Sequence, residues 1–134
     1  MARDMTNKII SIEGEKQLEH MIELSEQKLV IIDVHEKWCG PCVAVSPFYN
    51  ALWIDVTAPD DRLIPATLDR SDPKINKTLQ NLLGNELKIS EQGCRPFFIL
   101  LRNKQFDGVV NGCNTPQLRM LIDLHIPKIK KVES

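Results

Sequence analysis

Leu29-Val30-Ile31-Ile32-Asp33-Val34-His35-Glu36-Lys37-Trp38-Cys39-Gly40-Pro41-Cys42 is the stretch on which the reading of this chain turns. Leu29–Val34 is apolar everywhere except Asp33, so both faces of an extended segment would be covered. That is the composition of a central strand rather than a half-exposed one. Trp38-Cys39-Gly40-Pro41-Cys42 follows directly. Pro41 suits a first helical position, where its missing N–H leaves nothing unsatisfied. A helix is therefore predicted over Pro41–Val56, with Pro47 inside it as a kink.

Two cysteines separated by two residues at the carboxyl end of a central strand point to redox chemistry. The pair can close a small disulfide. At a helix start, Cys39 faces free backbone N–H groups and the positive end of the helix dipole, and both favour its thiolate. A drop from about 8.5 to about 7 corresponds to roughly 2 kcal/mol of preferential thiolate stabilisation. Cys39 is thus the candidate attacking thiolate and Cys42 the resolving thiol, which breaks the mixed disulfide formed in the first step. Zinc also accepts this spacing but needs a partner pair. Cys94 and Cys113 are far along the chain and not closely spaced, so no metal site is expected.

Outward from this stretch, Ile9, Ile10 and Ile12 form a short β-like run. Leu18, Met21, Ile22 and Leu24 share one helical face within Gly14–Ser25. Asp60–Leu68 reads as a strand centred on Leu63–Leu68, where Pro65 implies an edge or a bulge. Asp72 is expected to cap a helix over Pro73–Leu83 that Gly84 stops. Phe97–Arg102 and Phe106–Val110, joined by Asn103-Lys104-Gln105, predict an antiparallel hairpin. Thr115 is expected to cap a last helix with Leu118, Leu121 and Ile122 on one face, and Lys128–Ser134 to fray. The order β-α-β-α-β-α-β-β-α implies an α/β fold, a central mixed sheet with helices on both faces.

Composition bounds the function. The 134 residues fit one domain, 1–134, with its core at about 9–125 and a polar tail over 126–134. With 43% apolar and 26% charged residues, the chain has the mix of a globular protein. Seventeen basic residues balance 18 acidic ones, a net charge of −1, so neither nucleic acid nor a membrane surface is an expected partner. The longest apolar run, Pro96–Leu101, is too short to span a bilayer, and Met1–Lys8 is too polar for a signal peptide. A reducing compartment, the cytoplasm, is expected.

Trp-Cys-Gly-Pro-Cys after an apolar strand resembles thioredoxin, and the resemblance extends over about Ile9 to Leu124. It implies the thioredoxin fold and assigns Asp33, six residues before Cys39, as the buried acid that moves protons near the resolving thiol. Burial of a carboxyl among apolar residues would independently raise its pKa toward neutrality. The resemblance also makes Pro47 the helix-kinking proline, Pro96 the cis-proline facing the two cysteines, and Gly112 the glycine after the last strand. No cofactor is implied.

The chain departs from general reductants of the family. Val43 follows the second cysteine where a basic residue is usual. Ile64–Leu68 supplies no lysine near the acid, Arg95 precedes the proline, and His35 and Glu36 replace residues that are usually aromatic and small. Together with Gly93-Cys94-Arg95-Pro96-Phe97-Phe98 and Asn111-Gly112-Cys113-Asn114-Thr115-Pro116, these features are similar to a narrower branch. That branch comprises the thioredoxin-like light chains of axonemal outer-arm dynein and the thioredoxin domains fused to nucleoside diphosphate kinase modules. No kinase module follows here, which under the resemblance implies a stand-alone light chain in the cilium axoneme. Its expected partners are a dynein heavy chain and other outer-arm subunits, bound through a groove of Trp38, Gly40, Pro41, Arg95, Pro96 and Gly112. The alternative is a general protein-disulfide reductase recharged by a thioredoxin reductase.

Cys94 stands beside this groove as a possible accessory thiol, against the plainer role of a semi-buried small hydrophobe. His35 could support the Cys39 thiolate, although a strand-end surface histidine is the simpler expectation. His20 and His125 read as helix-surface residues, Trp53 as core, and Trp38 as an amphipathic anchor for docking.

Overall fold

Leu29–His35 is a strand, β2, in which every residue but His35 is buried. It lies at the centre of the sheet, as its unbroken apolar run requires. The computed structural model describes residues 9–35, 45–69, 73–83, 97–111 and 114–128. Around β2 the sequence forms β1 (Ile10–Ile12), α1 (Glu15–Leu24), α2 (Val45–Asp55), α3 (Pro59–Arg62), β3 (Leu63–Asp69), α4 (Pro73–Leu83), β4 (Phe97–Arg102), β5 (Gln105–Asn111) and α5 (Thr115–His125). The sheet has five strands in the order β1-β3-β2-β4-β5. β1, β3 and β2 are parallel, and β4 runs antiparallel to both β2 and β5.

Alternation along β2 divides the core in two. Val30, Ile32 and Val34 pack with Leu18 and Met21 of α1 and Ile75 and Leu79 of α4. Leu29 and Ile31 face the other way, onto Tyr49, Leu52 and Trp53 of α2 and Leu118 and Ile122 of α5. Helices thus cover both faces, as the alternating order implies, and Trp53 is core.

The structure corrects several local expectations. Asp60–Arg62 is not strand but a short helix, with Pro59 at its start and Asp60 and Asp61 in its first turn. β3 is an interior strand despite Pro65. The three-residue β1 pairs with it only from Ala66 to Leu68, so Pro65 lies where the β1 side of the ladder has ended. Asn114, not Thr115, caps α5. Its side chain accepts a hydrogen bond from the Gln117 N–H at 3.2 Å, satisfying one of the donors a helix start leaves free. The Asp72 cap, the Gly84 stop and the tail beyond Lys128 lie outside the described residues.

The hairpin between β4 and β5 turns on Asn103 and Lys104, at φ 56° and 64°. Two successive left-handed residues give the turn whose twist matches that of the strands it joins. The turn is tied to the end of α1: the Asn103 N–H donates to the Ser25 carbonyl at 2.7 Å, and the Lys104 N–H donates to Ser25 Oγ at 2.8 Å. Lysine carries a Cβ penalty in this region that glycine does not. Lys104→Gly keeps the backbone bonds and gives up only an exposed ion pair with Glu26. It is expected to raise stability by about 0.5–1 kcal/mol, read as a higher urea midpoint with an unchanged slope.

Candidate active site

Asp33 is fully buried. It shares its face of β2 with Ile31 and Leu29, so its carboxyl points toward the α2 layer rather than to water. Asp33 does not face solvent at the strand end. The parallel register sets Thr67 of β3 beside it, and the antiparallel register sets Phe98 of β4 opposite. Thr67 Oγ1 donates to Asp33 Oδ2 at 2.9 Å.

His35 lies two residues on and therefore on the same face. Its Nδ1 stands 3.2 Å from Asp33 Oδ2, and its side chain is only 12% exposed. This corrects the surface-histidine expectation: the end of β2 is covered, and His35 is turned back along the strand onto the acid. The contact lies within ion-pair reach, but off the line of a hydrogen bond, and Asp33 Oδ1 has no hydrogen-bond partner among the described residues.

Burial drives the Asp33 carboxyl above its ordinary value; the Thr67 hydroxyl and then the His35 ring oppose that rise without cancelling it. Such a carboxyl exchanges a proton closer to neutral pH than a surface aspartate does. Tyr49 completes the surroundings. Its hydroxyl donates to the Ala66 carbonyl at 3.1 Å, with the Ile31 carbonyl next nearest at 3.4 Å. Burial, reinforced by the charge of Asp33, pushes its pKa well above the usual tyrosine value, so it remains a neutral donor.

Of the candidate site residues named from the sequence, Asp33 is described and lies buried on β2. Trp38, Cys39, Gly40, Pro41, Cys42, Cys94, Arg95, Pro96, Gly112 and Cys113 lie outside the described residues. The elements adjoining them in sequence end at one end of the sheet. His35 closes β2, Asp69 is its register partner on β3, Phe97 opens β4 opposite Val34, and Asn111 ends β5 opposite Phe97. Thr67 and Tyr49 had not been singled out. Only the pairing of β2 with β3, absent from any local pattern, brings Thr67 to the acid, whereas His35 reaches it through the two-residue period of β2 itself.

The family model described as Thioredoxin matches residues 10–123. The chain is similar to a thioredoxin domain-containing protein 3 homolog of Heliocidaris crassispina, at 30% identity over 109 residues. That match covers 81% of this chain but only 12% of that relative's length. It is also similar to a dynein 16 kDa light chain of the flagellar outer arm from Chlamydomonas reinhardtii, at 26% identity over 84% of this chain and 66% of the light chain. Among solved structures it resembles thioredoxin NaTrxh of Nicotiana alata, with a TM-score of 0.64 at 21% identity, covering 90% of this chain and 94% of that one. The β1-β3-β2-β4-β5 sheet, the acid buried on its central strand and the match over nearly the whole described core agree: the chain belongs to the thioredoxin family.

Proposed function

We propose that the chain is a thioredoxin-like light chain of an axonemal outer dynein arm that retains dithiol–disulfide exchange at Cys39 and Cys42. The exchange rests on one observation above the others: Asp33, six residues before Cys39, is fully buried, its pKa is raised, and one of its oxygens is unpartnered among the described residues. A buried carboxyl in that state is costly unless it has work to do.

In the proposed cycle the Cys39 thiolate attacks a target disulfide. A Cys39–target S–S bond forms, the target S–S bond breaks, and the departing thiolate takes a proton from water. Cys42 then gives its S–H proton to the Asp33 carboxylate, keeps the electron pair and attacks the Cys39 sulfur. The Cys39–Cys42 disulfide forms, the second target thiolate leaves and takes up the proton held on Asp33. Two electrons have passed from the dithiol to the target. A thioredoxin reductase would restore the dithiol.

Similarity to the flagellar light chain supports the assembly part of the reading. Trp38, Gly40, Pro41, Arg95, Pro96 and Gly112 would form the groove for a heavy chain, with Cys94 as a neighbouring thiol. Insulin reduction, with Cys39→Ser as the blank, tests the chemistry. Fractionation of axonemes tests the assembly: the chain is expected in outer-arm dynein fractions. Recovery only as free protein that turns over insulin would favour the general reductase instead.

A further inference from the structure

We propose that His35 is a positioning residue for the exchange at Cys39 and Cys42, acting through Asp33 by holding its Oδ2 so that Oδ1 is the oxygen that takes and returns the proton. The inference rests on the exchange reading above and adds to it both a residue and an atom.

Geometry carries it. Two groups stand on Oδ2 and none of the described residues on Oδ1: Thr67 Oγ1 at 2.9 Å and His35 Nδ1 at 3.2 Å both approach the same oxygen. Oδ2 already carries the Thr67 hydrogen bond and the His35 contact, whereas Oδ1 carries neither. A buried carboxylate oxygen that lacks a partner is the atom that gains most from protonation.

Charge completes the argument. Burial disfavours the ionised carboxylate, yet a proton acceptor has to be ionised when Cys42 gives up its proton. A cation at ion-pair distance is what keeps an acid in that state inside an apolar layer. Among the described groups around Asp33, the other neighbours cannot supply one. β4 presents Phe98, α2 presents the neutral Tyr49, and β3 presents Thr67 and the acid Asp69, the register partner of His35. In the resolving step the Cys42 S–H bond breaks, its electron pair stays on sulfur and the proton passes to Oδ1. His35 neither gains nor loses a proton in that step.

The test follows the Asp33 carboxyl carbon by NMR against pH in the full chain, alongside the pH profile of a single-turnover disulfide exchange. His35→Phe is expected to move the Asp33 midpoint upward by about one unit, a tenfold gain in proton affinity. The exchange profile should shift in the same direction while its plateau is kept. His35→Lys, which places a cation at the same position, should bring both back toward wild type. His35→Gln, polar and of similar reach, should behave like His35→Phe and serves if the phenylalanine variant fails to fold. An unchanged Asp33 midpoint in either uncharged variant overturns the proposal. So does loss of exchange at every pH without a midpoint shift, which would make His35 the acceptor itself. If the wild-type chain exchanges no disulfide at all, the exchange reading fails, while the carboxyl titration still reports separately on the hold of His35 on Asp33.

Discussion

Asp33→Asn is expected to slow the resolving step by about 10²-fold and, at the same time, to make the fold more stable at neutral pH. The two effects share one cause. In the native chain the carboxyl binds its proton more tightly than in the unfolded chain, because burial penalises the anion more than Thr67 and His35 favour it. Between the ordinary value of 3.8 and the raised native value, the folded state therefore holds more proton than the unfolded state. Stability falls as pH rises through that window, by at most about 1.4 kcal/mol per pH unit, and then levels off. The contribution is fully present below the unfolded value and lost above the native one. Asparagine has the same shape, its carbonyl can still accept from Thr67, and it carries no charge to ionise. Urea midpoints for the two proteins should therefore nearly coincide below about pH 4 and separate in favour of the variant as pH rises. A constant difference between them across the whole range would show that Asp33 ionises as readily inside the fold as outside it. The trade is the one expected where a site is kept polar for chemistry inside an apolar layer.

How much of this was legible beforehand depends on which residues one asks about. Leu29–Val34 announces a covered strand because no half-exposed strand would be apolar on both faces, and the structure places it at the sheet centre. Asp33 is conspicuous for the same reason, as the one charge in that run. The hairpin was also visible, since two β-rich runs with so short a polar link have few other ways to pack. Thr67 was not visible. Its role comes from parallel pairing across 34 residues of sequence separation, and nothing in Ile64–Leu68 marks one position as facing the acid. His35 was misjudged because strand ends are commonly wet, whereas here 88% of its side-chain surface is covered, the complement of its 12% exposure. Pro65 was misjudged because the rule confining proline to edges concerns one ladder at a time, and β1 is too short to reach it.

Phe98→Ala is expected to cost about 3–5 kcal/mol of stability, a large share of the 5–15 kcal/mol typical of a domain. Phe98 is fully buried on β4, opposite Asp33 on one side and Val110 on the other, in the layer that packs on α2 and α5. No neighbouring element can close up without breaking strand register, so the lost ring leaves a cavity. That cavity would border a carboxylate whose Oδ1 has no hydrogen-bond partner among the described residues, which gives an entering water something to bind. Hydration relieves the desolvation that raises the Asp33 carboxyl, so its midpoint and the pH profile of exchange should move down toward ordinary aspartate behaviour. Ile99→Ala is the comparison that separates packing from electrostatics. Ile99 is equally buried, but it belongs to the opposite layer with Val30, Ile32 and Val34. Its loss should cost about 2–5 kcal/mol with the exchange profile unmoved. Matched drops in urea midpoint, with the pH shift confined to Phe98→Ala, would locate the origin of the raised proton affinity in the α2 layer. Equal pH shifts in both variants would instead assign it to a general loosening of the fold.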